Sequence, residues 1–109
     1  MSQQIIQVNF QFKDSVENYK ISAAAIAEVF ANLPGLQWKI WLIDEERKEG
    51  GGIYLFADKE SADNYINSAL LKKISTNPGF TNFHVKQFDT LGEPGIITHA
   101  PLKNGAVML

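Results

Sequence analysis

The amino-acid sequence predicts an α+β fold: a four-stranded antiparallel sheet with both helices on one side. Three observations lead there. Ile6, Val8, Phe10 and Phe12 alternate with polar neighbours, the period of a half-buried strand. Val16 to Phe30 and Ala62 to Ile74 carry apolar residues at helical spacing. Between them, Leu36 to Ile43 and Ile53 to Phe56 flank a charged turn, which reads as a hairpin.

Taken in order, the first strand interleaves its apolar residues with Gln7, Asn9 and Gln11. Asp14, three residues before Glu17, is the expected helix cap, and Val16, Tyr19, Ala23, Ile26, Ala27 and Phe30 form the inward stripe. Leu33-Pro34-Gly35 stops this helix, and Ala23-Ala24-Ala25 thins it enough for a close approach to a sheet. In the second strand Leu36, Trp38, Ile40 and Leu42 share one face, while Lys39, Trp41 and Ile43 share the other. Neither face is cleanly polar. The run from Asp44 to Glu49 connects to Gly50-Gly51-Gly52, glycines expected to reverse the chain. Asp58 is the expected cap of one helix with the stripe Ala62, Tyr65, Ile66, Ala69, Leu70 and Ile74, ended by Asn77-Pro78-Gly79. The fourth strand runs from Phe80 to Asp89, with Thr81, Phe83, Val85 and Gln87 opposite Asn82, His84, Lys86 and Phe88. Residues 91–109 contain Pro94, Gly95 and Pro101 and are expected to form an irregular tail that docks on the domain or a partner through Ile96, Ile97 and Leu102.

This order is the split β-α-β arrangement of ferredoxin-like folds, here one domain over residues 1–109. Right-handed crossovers put both helices on the same side and leave the other side bare. That side is expected to carry Gln7, Asn9 and Gln11 together with Trp41, Ile43 and either Tyr54 and Phe56 or Ile53 and Leu55. So large an apolar patch predicts a partner, and the simplest is a second copy in a symmetric homodimer. The alternative is a tail folded over the bare face of its own subunit.

Composition narrows the function classes. A formal charge of −2 offers phosphate backbones no long-range attraction, so no nucleic-acid partner is expected. Without cysteine there is no disulfide framework, thiol catalysis or zinc-thiolate site. Met1-Ser2-Gln3-Gln4 lacks the character of a secretion signal, and no apolar run approaches the roughly 20 residues that span a bilayer, so no membrane partner and a cytoplasmic location are expected. The sequence also lacks Gly-x-Gly-x-x-Gly, a phosphate loop, a Gly-x-Ser-x-Gly elbow and His-x-His or His-Glu-x-x-His spacing.

Few side chains remain for chemistry in an apolar site. His84 is the candidate proton-transfer residue because its ring titrates near neutrality, set against a structural histidine in an interface. His99 falls in the tail. Trp38, Trp41, Tyr54, Phe56 and Tyr65 could line a cavity for a flat aromatic ligand, with plain core packing as the ordinary reading. Tyr54 and Tyr65 are the preferred hydrogen-bonding pair. Lys39, between two tryptophans, either meets a ligand anion or reaches the rim while its stem packs on rings.

The segment from Gly35 to Trp41, followed by Gly51-Gly52-Ile53-Tyr54-Leu55-Phe56 and Asp58, resembles the signature of the YdhR-like mono-oxygenases, and Glu93-Pro94 with Thr98, Ala100 and Leu102 resembles that family's C-terminal segment. The resemblance implies a dimeric α+β barrel and an oxygenase that needs no metal, flavin or haem, because an electron-rich phenolic substrate reduces oxygen itself once deprotonated. Two rivals stand beside it: a non-catalytic dimer that binds a small hydrophobic ligand, and an RNA-recognition-like module displaying Tyr54 and Phe56 on its third strand.

Overall fold

The computed structural model describes residues 3–102. The elements run β1 (Gln4–Phe12), α1 (Val16–Ala31), β2 (Leu36–Asp44), β3 (Glu49–Phe56), α2 (Lys59–Ile66), α3 (Ala69–Ser75), β4 (Phe80–Asp89) and α4 (Gly92–Ile97). The sheet order is β2-β3-β1-β4, with all neighbours antiparallel, so the chain has the expected ferredoxin-like topology.

Three local details depart from expectation. The cap of α1 is Ser15, whose Oγ accepts from the Asn18 N–H, while Asp14 accepts from the Ser15 N–H and the Asn18 side chain. The expected single helix after Asp58 is two helices. Ser68 divides them because its hydroxyl donates to the Tyr65 carbonyl and accepts from the Leu71 N–H, offering the backbone an alternative to continuing. The tail is regular over Gly92–Ile97, and its expected irregularity is corrected there: the Gly95 N–H donates to the Leu91 carbonyl and the Thr98 N–H to the Pro94 carbonyl. The expected tail beyond residue 102 lies outside the described residues.

Ladder register assigns the faces. Ile6 pairs with Tyr54 and Val8 with Gly52, and Tyr54 pairs in turn with Lys39 and Gly52 with Trp41. Side chains directly opposite one another share a face. Tyr54, Phe56, Lys39 and Trp41 therefore lie on the helix side, where Ile6, Val8, Phe10, Phe30, Tyr54, Phe56, Ala62, Tyr65 and Leu71 form one buried cluster. Trp38, Ile40, Leu42, Ile53 and Leu55 lie with Ile5, Gln7 and Asn9 on the open side. The expectation that Trp41 and Ile43 sit on the bare face is thus reversed. Alternation dictates which residues go together but not which way the pair of faces points; here Trp41, Tyr54 and Phe56 turn inward and Trp38 outward.

The open side is covered at one end. The Trp38 Nε1–H donates to the Pro101 carbonyl at 2.8 Å, so the segment after β4 passes from one sheet edge to the strand at the other. On this side Leu55, the ladder partner of Trp38, is 0 % exposed, whereas Ile40 further along β2 is 50 % exposed.

Candidate functional site

A cavity of about 320 Å³ lies between the sheet and helices α1 and α3. Its walls are largely aromatic: Phe10, Tyr19, Phe30, Trp41, Tyr54 and Tyr65. The small side chains explain why the space is not filled. On α1, Ser22 and Ala23 face the cavity, so the alanine run makes room there, and Ala24 and Ala25 are exposed. On β3 the three glycines lie inside the strand and do not reverse the chain; the turn itself occupies residues 45–48. A Cβ at Gly50 would fall 2.4 Å from the Tyr19 hydroxyl, and one at Gly52 would fall 2.7 Å from Lys39 Cε. Gly51 has φ +152°, and a Cβ there would fall 1.9 Å from the Val8 carbonyl oxygen, an approach that only glycine permits. Without side chains, the strand forms a floor on which Tyr19 and Lys39 rest.

The site contains one amine and a pair of phenols at its centre. Lys39 Nζ lies 3.3 Å from the Trp41 ring centroid, 3.5 Å from that of Phe30 and 4.6 Å from that of Tyr54. It makes no hydrogen bond or ion pair with any described residue. Ring faces attract its charge, but loss of water outweighs them, and burial lowers the amine to about 7. Neutral Lys39 is therefore accessible near pH 7. The hydroxyls of Tyr54 and Tyr65 are hydrogen-bonded to each other at 2.8 Å. One bond between two hydroxyls uses one hydrogen, which leaves the second for a ligand. Burial raises Tyr65 to about 12 and Tyr54 further still, the latter also through the charge of Tyr65. Both phenols are donors at neutral pH, and the neutral Lys39 amine can accept a proton.

The remaining sequence candidates fall elsewhere. Phe56 stacks on Tyr65 at 5.6 Å and on Tyr54 at 6.2 Å, supporting the pair from behind. Trp38 is on the open side, tied to Pro101. His84 is exposed on that side too, paired across the ladder with Asn9, so the sheet separates it from the cavity. His99 is exposed in the turn after α4, at φ +68°. Tyr54 and Phe56 face inward, away from the surface on which an RNA-recognition module stacks bases, so that rival loses its rings. A second depression, about 400 Å³, runs beside Ile66, Leu71 and Val85, but it is an open trough without aromatic lining. Among the described residues no cluster of three or more His, Asp or Glu is placed to hold a metal, and no helix is long and apolar enough to cross a membrane.

Sequence reasoning named the residues of this site but missed its centre. From sequence Lys39 is either an anion-binding or a rim residue in its charged form, and Tyr19 belongs to the packing stripe of α1. The signal available was the glycine run on the strand beside Lys39, since Gly52, diagonal to it, leaves space for the lysine stem.

Solved structures with the same fold include oxygenases. SnoaB, a cofactor-independent oxygenase from Streptomyces nogalater, superposes with a TM-score of 0.66 at 13% identity, covering 84% of this chain and 95% of its own. A monooxygenase from the gene ActVA-Orf6 of Streptomyces coelicolor, solved with the ligand Nanaomycin D, gives 0.60 at 12% identity over 84% of this chain and 89% of its own. A dimeric ferredoxin-like protein of unknown function from Jannaschia sp. CCS1 gives 0.57 at 19% identity over 81% and 99%. At such identities the likeness is one of fold. No curated protein sequence matches the chain. The sequence profile of the family described as "Putative mono-oxygenase ydhR" matches residues 5–101, from the first strand to the end of the tail that ties down Trp38, and the chain belongs to that family.

Proposed function

We propose that this chain is a cofactor-independent mono-oxygenase acting on a small aromatic compound, within a homodimer whose subunits meet through the open sides of their sheets. The observation that carries this reading is Lys39: an amine at about 7, unpaired among the described residues, on the wall of an aromatic cavity with spare phenol donors beside it. The fold shared with SnoaB and the ActVA-Orf6 monooxygenase supports it.

The chemistry follows from what each group can do. A ligand methylene made acidic by flanking rings and a carbonyl gives a proton to neutral Lys39. The spare hydroxyl hydrogen of the Tyr54–Tyr65 pair binds the oxygen on which the resulting charge settles. That carbanion passes one electron to O2, the two radicals join as a peroxide anion that takes back the proton from Lys39, and loss of water from the hydroperoxide leaves a ketone. The methylene and O2 thus become a carbonyl and H2O, with the substrate supplying all of the electrons. Exclusion of water by the ring walls protects the anion. In this reading Trp41, Tyr54 and Tyr65 contact the ligand, Phe56 braces them, and His84 belongs to the subunit interface.

The dimer rests on the uneven open side. Ile40 is 50 % and Phe88 47 % exposed, beside half-buried Ile53, Gln7 and Asn9, an interface of mixed polarity. The dimeric ferredoxin-like neighbour supports it. Sedimentation of the full chain at micromolar concentration tests the dimer, and a single monomeric species overturns it. Oxygen uptake with hydroxyanthrones tests the activity. Lys39→Met is expected to lower the rate roughly 100-fold or more. Absence of uptake with a ligand demonstrably bound would favour the non-catalytic binder.

A further inference from the structure

The same amine suits a second kind of chemistry, one that uses its nucleophilicity. We propose that Lys39 is an imine-forming amine, which condenses reversibly with the carbonyl of a flat aromatic aldehyde or ketone held between the sheet and α1. The inference rests on the cavity of the preceding reading but not on its oxygen chemistry.

Three features favour it. The Nζ atom has no acceptor among the described residues, so its lone pair is not competing with an ion pair. The cavity of about 320 Å³ beside it is of a size and lining to hold a bicyclic or tricyclic ring system. The rings of Phe30, Trp41 and Tyr54 surround the nitrogen, and a protonated imine keeps its positive charge on that nitrogen, so the ring contacts that hold the ammonium also hold the product. Desolvated lysines of this kind are nucleophiles toward carbonyls.

The step balances with groups in the cavity and solvent water. Neutral Nζ adds to the carbonyl carbon, a proton moves from nitrogen to oxygen, and the hydroxyl leaves as water while the C=N bond forms. The spare hydrogen of the Tyr54–Tyr65 pair is donated as a hydrogen bond to the departing oxygen, and solvent water supplies the proton that leaves the imine charged, so both phenols stay neutral. The titratable groups facing Nζ are Tyr54 from β3, Tyr65 from α2, Tyr19 from α1 and Lys73 from α3, and no carboxylate from the described residues lines the cavity. Burial raises each of the three tyrosines, so none becomes an anion that would restore the charge on Lys39 near neutrality.

Reductive trapping decides the matter without relying on a variant. The full chain is incubated at pH 7 with 2-hydroxy-1-naphthaldehyde and sodium cyanoborohydride, then digested, and the modified lysine is located by mass spectrometry. The chain has nine lysines; Lys73 shares the cavity with Lys39, and the other seven are internal controls. An exposed lysine near 10.4 is almost wholly protonated at this pH, so Lys39 is expected to carry label at least roughly tenfold above any other. An excess of 2-naphthol, similar in shape but without the carbonyl, should lower labelling at Lys39 alone. Gly52→Ala, whose Cβ displaces Lys39 Cε, should lower it selectively as well. Label spread over surface lysines with no excess at Lys39, or labelling of Lys39 that 2-naphthol leaves unchanged, overturns the proposal. Oxygen uptake measured without reductant reports separately on the mono-oxygenase reading.

Discussion

The helix side and the open side of this sheet are made by the same four strands, yet one encloses a hole and the other carries a strap. On the helix side the large residues are rings, and they face Gly50, Gly52, Ser22 and Ala23, so the layer is walled but not filled. On the open side aliphatic residues crowd toward β2 and β3, while Gln7, Asn9, His84 and Lys86 occupy the β1 and β4 half. Leu55 is buried there, paired across the ladder with the Trp38 that the segment after β4 ties down. The contrast teaches that aromatic content does not locate an exposed surface. On the helix side rings collect where glycines, Ser22 and Ala23 stand opposite them, whereas on the open side the rings of Trp38 and Phe88 stand apart among aliphatic and polar residues.

Substitutions on the two sides test this contrast, and the largest effect is expected at Leu55. Leu55→Ala removes a fully buried side chain and should cost about 2–5 kcal/mol in urea unfolding, despite the absence of α1, α2 or α3 on that side. A loss below about 1 kcal/mol would mean that this side chain is wet. Across the sheet, Tyr65→Phe removes one partner of a buried hydroxyl pair and should cost about 1–2 kcal/mol, while weakening the binding of hydroxylated aromatics relative to unsubstituted ones in a fluorescence titration.

Lys39→Met should go the other way, because it replaces a desolvated amine with an apolar chain of similar length. It is expected to gain about 1 kcal/mol at pH 6. Its pH dependence has a definite sign. The native amine titrates near 7 and the unfolded one near 10.5, so the unfolded chain holds more protons between those values. Wild-type stability should therefore rise with pH across that window relative to the variant, and the variant's advantage should shrink toward pH 10. Matched melting curves at pH 6 and pH 10 check this, and an advantage that stays constant would place the ammonium in water. The smallest effect is expected from Trp38→Phe, about 0.5–1.5 kcal/mol for one hydrogen bond at the strap, with faster amide exchange confined to residues after β4.

Much of this was legible in the chain itself. The strand limits of β4, the cap at Asp58 and the inward residues of β1 all follow from alternation and capping chemistry. The break at Ser68 was harder to see, because the apolar stripe runs through it and only the local hydrogen bonds of one hydroxyl interrupt it. His84 stands out in the sequence by residue type, but residue type says nothing about which side of a sheet a side chain occupies. Lys39 carried no such flag, since an isolated lysine is protonated at neutral pH and only its surroundings lower it.

By itself the sequence determined the order of strands and helices, the grouping of residues into faces and the resemblance to a family, because these depend on neighbours along the chain and on period-two and helical spacing. Tertiary structure decided which face met the helices, where the strap lay and that a cavity remained. Those outcomes depend on what stands across a gap from each side chain. A lysine becomes a base only when rings close around it, and a glycine becomes a floor only when something comes to rest on it.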